Sequence, residues 1–227
     1  MINNILTKMT KNKYGFTLAE ILITLGIIGI VAAMTLPTLI TKILDTSYKA
    51  NYKKVLSELN QALKLLESED SSPVRVCKSM DDKCFRDQFI KKIKVVYTCD
   101  GKVPNNCQET STFLNNSTIN NSLNVNGKWP AFMTLRGYSV KFRFHYDSCS
   151  TFDEMQKQYG VLTTCGWVQV DVNGLKGPNR VGKDIFIIDL LDDRFIPAHY
   201  SNDKVKDCKE GTGISCGAVY MNGGIPY

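Results

Sequence analysis

A single acidic residue, Glu20, lies within an otherwise apolar run from Phe16 to Ile40. As an α-helix, this run of about 25 residues would be about 37 Å long, which is enough to cross a bilayer core of about 30 Å. A carboxylate at the centre of a membrane helix costs about 2.5–3.5 kcal/mol, and somewhat less near an end, where Glu20 lies. A purely anchoring helix has no use for this acid. We therefore expect Glu20 to meet a positively charged partner, because a buried charge is tolerated when it is paired.

Residues 15–20, Gly-Phe-Thr-Leu-Ala-Glu, together with the apolar run that follows, resemble the processing motif of type IV prepilins and type II secretion pseudopilins. In that family a dedicated peptidase cleaves after the glycine and methylates the new N-terminal residue. The resemblance implies that Gly15 is the last leader residue and Phe16 the methylated N-terminus. It also implies that Glu20 pairs with the N-terminal amine of a neighbouring subunit. Pro37 matches a proline common in these stems, where the loss of one helical hydrogen bond lets the helix kink or open locally.

The same resemblance implies a role as a structural, minor subunit of a type IV pilus or a type II secretion pseudopilus, without enzymatic activity. The implied partners are other pilin or pseudopilin subunits, prepilin peptidase, an inner-membrane assembly platform and, before assembly, membrane lipid. The chain would be a single-pass protein of the cytoplasmic membrane with its domain outside. After assembly it would belong to a filament at the cell surface or in the periplasm.

Two other interpretations of the N-terminus stay open at this point. Residues 1–33 could form a secretory signal peptide, because three lysines precede the apolar run and residues 31–33 resemble a small-residue cleavage site. Against this, Glu20 interrupts the apolar region, which is also longer than such signals need. An uncleaved anchor is the second alternative. The mature N-terminus distinguishes them, because pilin-type processing begins the chain at Phe16 and signal-peptide cleavage begins it at Met34.

Charge and motifs give little support to nucleic-acid binding or catalysis. The net charge is +6, of which three lysines lie in the leader, so the mature chain is only mildly basic. An adhesive or DNA-capturing minor pilin is the alternative function, and Lys141, Arg143 and His145 form the candidate DNA-binding face. We interpret that face as the solvated side of a strand. A membrane-anchored hydrolase is less well supported, because G-x-S-x-G and P-loop motifs are absent and the only other histidine is His199.

The eight cysteines indicate a disulfide framework outside the reducing cytosol. A zinc site is the rival interpretation, but C-x2-C pairs are absent. Of the 105 connectivities that eight cysteines allow, we predict the nearest-neighbour set, because each bridge closes a short loop flanked by turn residues. The last bridge also resembles the C-terminal disulfide loop of many pilins. The predicted pairs are Cys77–Cys84, Cys99–Cys107, Cys149–Cys165 and Cys208–Cys216.

The periodicity of apolar residues predicts an α+β fold in which a long N-terminal helix packs on a small antiparallel β-meander. The expected segments are a leader (1–15), a transmembrane and assembly helix (16–40), an amphipathic stem helix (41–72) and a disulfide-rich domain (73–227). The apolar stripe of the stem is Leu44, Tyr48, Tyr52, Val55, Leu59, Leu63 and Leu66, at spacings of three and four. The predicted strands are 138–146 and 166–172, which alternate with a period of two, then 184–191, which is more continuously apolar, and a short piece at 195–196. Residues 105–126 and 198–227 are expected to be mostly irregular.

The glycine-rich stretch between the second and third predicted strands carries the oxygen ligands that calcium prefers, in Asp171, Asn173 and Asp184. Calcium is the one cofactor that the sequence suggests. The alternative, which we favour, is a long hairpin connection in which Asn-Gly and Gly-Pro supply the turn geometry. Three tripeptides that begin at Asn115, Asn116 and Asn120 match glycan acceptors. Such tripeptides occur frequently by chance in asparagine-rich loops.

Overall fold

A computed structural model describes residues 15–78, 80–101, 104–117, 128–145, 149, 164–198 and 200–222. The described part contains a six-stranded antiparallel sheet, one long helix and four short helices, which confirms the predicted α+β class. The helices are α1 (Leu18–Ser68), α2 (Pro73–Val76), α3 (Asp82–Phe89), α4 (Lys204–Glu210) and α5 (Cys216–Met221). The strands are β1 (Val95–Cys99), β2 (Ala131–Thr134), β3 (Ser139–Phe144), β4 (Gly166–Asp171), β5 (Ile185–Leu190) and β6 (Phe195–Pro197).

The chain divides into two units, one ending at Leu44 and one beginning at Asp45. The described part of the first unit is the beginning of α1, whose apolar side chains are exposed; Ile28 and Met34, for example, are 62% and 73% exposed. Among the described helices, α1 is the one that is long and apolar enough to cross a membrane, with a mean hydropathy of 2.2 over its most apolar window. The four segment boundaries proposed above stay predictions.

From Asp45 onward, α1 packs against the sheet of its own unit. The predicted stem stripe is buried from Tyr48 to Leu66, and Leu56 and Ala62 are buried beside it. Leu44 does not belong to the stripe, because its side chain is 43% exposed. The stem meets the inner face of the sheet, where Phe142, Val168 and Phe186 are buried. This helix-on-sheet layer forms the main core of the domain.

The sheet has the strand order β1-β2-β3-β4-β5-β6, and each neighbouring pair is antiparallel. The four predicted strands correspond to β3, β4, β5 and β6. Strands β1 and β2 were not predicted, and neither were the helices α4 and α5, which lie in the region expected to be mostly loop. Helix α4 begins after Asp203, whose side chain accepts a hydrogen bond from the Lys206 amide at 2.9 Å.

The outer face of the central strands β3, β4 and β5 is also largely buried, so the predicted solvated face of β3 is wrong. Lys141 and His145 are 1% and 5% exposed. Beside them on this face lies a second apolar cluster, the outer cluster, to which segments far apart in the sequence contribute. The outer cluster consists of Phe113, Trp167, Val181, Ile185, Ile187, Ala198 and Ile214.

All eight cysteines are paired in the nearest-neighbour arrangement: Cys77–Cys84, Cys99–Cys107, Cys149–Cys165 and Cys208–Cys216. The last bridge joins α4 to α5. Gly217, on α5, approaches the stem so closely that a Cβ atom there would lie 2.8 Å from Cζ of Tyr52. The end of the described chain is therefore fixed both to α4 and to the stem.

Candidate assembly site

Glu20 lies in the first turn of α1 and is hydrogen-bonded to Thr17, the residue before the helix begins. The Glu20 carboxylate accepts hydrogen bonds from the backbone amide and the hydroxyl of Thr17, both at 2.8 Å. In return, the Glu20 amide donates to the Thr17 hydroxyl at 3.2 Å. This reciprocal arrangement is a capping box, and it satisfies amides that the first helical turn leaves without partners.

The role of Thr17 was not predicted from the sequence. The spacing Thr-x-x-Glu before an apolar run is the signal that would have found it. The capping box holds the Glu20 carboxylate beside the positive end of the helix dipole, which favours a negative charge. The acid is thereby accommodated within its own chain, and its carboxylate is held four residues from Phe16.

Gly15 and Phe16 lie in irregular chain directly before α1 and are exposed; the Phe16 side chain is 83% exposed. A Cβ atom placed on Gly15 would have no neighbour within 4 Å. The fold of the described chain therefore does not dictate glycine at this position. If glycine is required here, the requirement comes from whatever recognises the Gly15–Phe16 bond.

Helix α1 continues through Pro37 without interruption. Because proline has no N–H, the Ala33 carbonyl lacks its helical donor at this point. Three threonine hydroxyls bond to backbone carbonyls of the helix around it, including Thr41 to Pro37 at 3.2 Å. The local opening predicted for Pro37 stays a prediction.

The three residues suggested as calcium ligands lie in and beside the β4–β5 connection. Asp184 is fully buried and accepts hydrogen bonds from the amides of Asn179 and Arg180 at 2.8 and 2.7 Å. Asp171 is also buried and accepts from the Asn173 amide at 3.2 Å. These bonds close the connection in the way that the turn interpretation requires.

Burial governs the charges in this connection. It raises the pKa of Asp171 well above its ordinary value, and the nearby charge of Asp184 raises it further. Burial also raises the pKa of Asp184 and lowers that of Lys141 to about 7. The side-chain nitrogen Nδ2 of Asn173 donates to the Tyr48 hydroxyl at 3.3 Å and to the Gly177 carbonyl at 3.0 Å, which ties the connection to the stem. The side-chain oxygen atoms of Asp171, Asn173 and Asp184 are of the kind that calcium binds. The described residues, however, contain no group of three or more His, Cys, Asp or Glu side chains placed to hold a metal ion.

The basic face considered for DNA capture is not available for that purpose. Lys141 is buried, and Arg143 forms an ion pair with Asp82 at 3.0 Å. Burial, together with the nearby Arg143 charge, lowers the pKa of His145 to about 4, so this histidine is neutral at physiological pH. His199, the other histidine considered for catalysis, lies outside the described residues.

Residues 10–36 match a family model described as a prokaryotic N-terminal methylation motif. No curated protein and no solved structure matches the chain. The matched stretch contains Gly15, Phe16, Thr17 and Glu20, and it supports placing the chain among the type IV pilin-like proteins and pseudopilins. Proteins that carry this motif are generally structural rather than enzymatic. The single apolar N-terminal helix fits a membrane-anchored pilin.

Proposed function

We propose that this chain is a minor structural subunit of a type IV pilus or a type II secretion pseudopilus. The observation that carries the proposal is Glu20, the sole ionisable residue of the apolar run from Phe16 to Ile40, within a stretch that matches the methylation motif. In this proposal prepilin peptidase cleaves after Gly15 and methylates Phe16. The partners are the peptidase, other pilin or pseudopilin subunits, an inner-membrane assembly platform and membrane lipid before assembly.

The proposed mechanism is an exchange of partners by Glu20. In the precursor the carboxylate is held by Thr17 through the capping box. Cleavage at Gly15 creates a positively charged amine on Phe16 of each subunit. In a filament, the amine of one subunit would reach the Glu20 carboxylate of its neighbour, and its full positive charge would attract the carboxylate more strongly than the neutral Thr17 donors that it replaces.

The apolar part of α1 makes this exchange energetically reasonable. Its exposed side chains need a cover of lipid or of other helices, because water would solvate so large an apolar surface unfavourably. A bundle of such helices at the centre of a filament is as dry as a bilayer. Moving the helix from the membrane into the filament would therefore expose little apolar surface to water. The pairing of Glu20 with the amine would set the orientation and the axial register of neighbouring helices. The extracytoplasmic domain would remain on the outside of the filament.

The test is to replace Glu20 by Ala and by Gln in the chain expressed in its own cells. We expect both variants to insert into the membrane and to be cleaved, yet to enter sheared filaments poorly, because neither offers a charge to the neighbouring amine. Asp192→Ala, which removes an exposed acid of the domain, is the matched control and should assemble normally. Incorporation of Glu20→Ala at the level of the unmodified chain would contradict the pairing mechanism.

A second measurement addresses processing separately. N-terminal sequencing of the mature chain should begin at N-methylated Phe16, and Gly15→Ala or a bulkier residue should leave the leader attached. A mature chain that begins at Met34 would instead identify a secretory signal peptide. An adhesive role is the alternative within the same family, and it would appear as lost surface binding with filament assembly intact.

A further inference from the structure

The segment that leads to Asn115 is held firmly against the rest of the domain. The amides of Leu114 and Asn115 donate to the carbonyls of Thr212 and Gly211 at 3.0 and 3.1 Å. Phe113, just before them, is buried in the outer cluster. The Asn115 side chain, in contrast, is exposed to solvent. A fixed backbone therefore presents this side chain at the surface of the domain.

Asn115 and Ser117 form a closed turn through their side chains. The Asn115 carboxamide oxygen accepts hydrogen bonds from the Ser117 amide at 3.0 Å and from the Ser117 hydroxyl at 2.6 Å. Asn116 lies between them at a φ of 61°, a left-handed conformation that asparagine tolerates better than most residues. Among the described residues, the bonds to the Asn115 carboxamide are made to its oxygen and none to its nitrogen.

The acceptor motif for asparagine-linked sugars is Asn-x-Ser/Thr, with any residue but proline in the middle. Residues 115–117 match it, and the bonds described above join its first and third residues. Two donors on the carboxamide oxygen withdraw electron density from the amide, which makes its N–H more acidic. The four disulfides place the domain in an oxidising compartment. We propose that Asn115 is a glycosylation site, whose donor is a sugar activated as an anomeric phosphate ester.

The reaction would transfer one glycosyl group without any redox change. The bond between the anomeric carbon and the phosphate oxygen breaks, and its electron pair leaves with the phosphate. A bond forms between the anomeric carbon and the amide nitrogen of Asn115, whose proton passes to a base of the transferase. The attached glycan would stand on a turn whose residues, 115–117, are all exposed.

The structure favours Asn115 over the overlapping acceptor at Asn116. The described hydrogen bonds place the Ser117 hydroxyl on Asn115, whereas the hydroxyl residue required by Asn116 is Thr118, outside the described residues. The third matching tripeptide, which begins at Asn120, also lies outside them. The two overlapping motifs can be separated genetically, because Ser117→Ala removes the motif of Asn115 and keeps that of Asn116.

The test is peptide mass spectrometry on the mature full-length chain purified from its own cells. We expect a glycan on Asn115 that is absent from Asn115→Gln and Ser117→Ala and retained in Ser117→Thr. Far-ultraviolet circular dichroism checks that each variant is folded. A released glycan of one sugar indicates a nucleotide-activated donor, and a preassembled oligosaccharide indicates a lipid-linked donor; either result supports the proposal.

Two results would overturn the proposal. One is an unmodified Asn115 in folded protein from the native cells. The other is a glycan on Asn116 or Asn120 with Asn115 bare. Neither result contradicts the proposed pilin function, because N-terminal sequencing of the same preparation tests that function separately.

Discussion

Replacing Asp189 by asparagine should remove a defined pH dependence from the stability of the domain. Asp189 lies on β5, is fully buried, and accepts a hydrogen bond from the Tyr200 hydroxyl at 2.6 Å. Burial raises the pKa of its carboxyl from an ordinary 3.8 to about 7, and the bond from Tyr200 only partly offsets that rise. At pH 5–6 the carboxyl is therefore mainly neutral in the folded domain and ionised in the unfolded chain.

The sign of the effect follows from this difference in proton binding. Because the folded state holds the proton more tightly, the contribution of Asp189 to stability is complete below about pH 4. It declines as the pH rises and is lost above about pH 7. A difference of about three pKa units, at about 1.4 kcal/mol each, amounts to about 4 kcal/mol over that interval. Asparagine resembles the protonated acid in shape and does not ionise, so Asp189→Asn should not show this loss.

The measurement is the free energy of unfolding by guanidinium chloride across this pH range, for the chain that begins at Asp45, with its disulfides intact. Trp167 lies directly opposite Asp189 in the sheet and contacts Trp129, so tryptophan fluorescence reports on this region. The stability of Asp189→Asn relative to the unmodified domain should rise by up to about 4 kcal/mol from pH 4 to pH 7. Asp192→Asn, an exposed control, should run parallel to the unmodified domain.

A parallel pH course for Asp189→Asn and the unmodified domain would refute the reasoning. It would mean that the buried carboxyl keeps an ordinary pKa, by taking up water or by local opening. A constant offset between the two parallel courses would leave this conclusion unchanged, because its size would report only on the packing and hydrogen bonding of the asparagine.

Three further predictions concern the end of the chain and the β4–β5 connection. Gly217→Ala should lower the free energy of unfolding by about 1–3 kcal/mol, because its Cβ would overlap the ring of Tyr52, and thermal melting would show this. Asp207→Ala should cost about 1–3 kcal/mol and speed amide exchange in the last disulfide loop, because its carboxylate accepts from three backbone amides there. Millimolar calcium should leave the melting temperature unchanged, because Asp184 already binds backbone amides. A rise that disappears in Asp171→Asn would restore the calcium interpretation.

The elements that could be predicted from the sequence are those whose periodicity runs long enough to identify one buried face. The stem stripe from Tyr48 to Leu66 covers several helical turns, and β3 alternates over its whole length. Strand β2 has only four residues, all buried, so no alternation marks it. Helix α4 is short and polar, and its stability comes from a cap and a disulfide rather than from an apolar stripe.

The burial of Lys141 could not be predicted for a different reason. Alternation along β3 separates two faces, but it does not say whether a second layer covers the polar one. Phe113 and Ile214, from distant parts of the chain, pack in the outer cluster with Trp167 and Ile187 of this face. The same limit applies to the candidate site. The sequence identified Glu20, whereas the bonds that hold its carboxylate became apparent only with the geometry of the first helical turn.

One helix thus carries two surfaces with different requirements. From Tyr48 onward the apolar side chains of α1 are covered by the sheet of the same chain, so this part is satisfied without a partner. Before Asp45 the apolar side chains have no such cover among the described residues, and lipid or another copy of such a helix must supply it. An apolar surface alone would accept any apolar cover in any register. In the proposed filament, a single acid at a fixed distance from the Phe16 amine would remove that freedom, because only one axial offset between neighbouring helices would bring the two charges together. Register in the assembled state would therefore depend on Glu20, and affinity on the apolar residues around it.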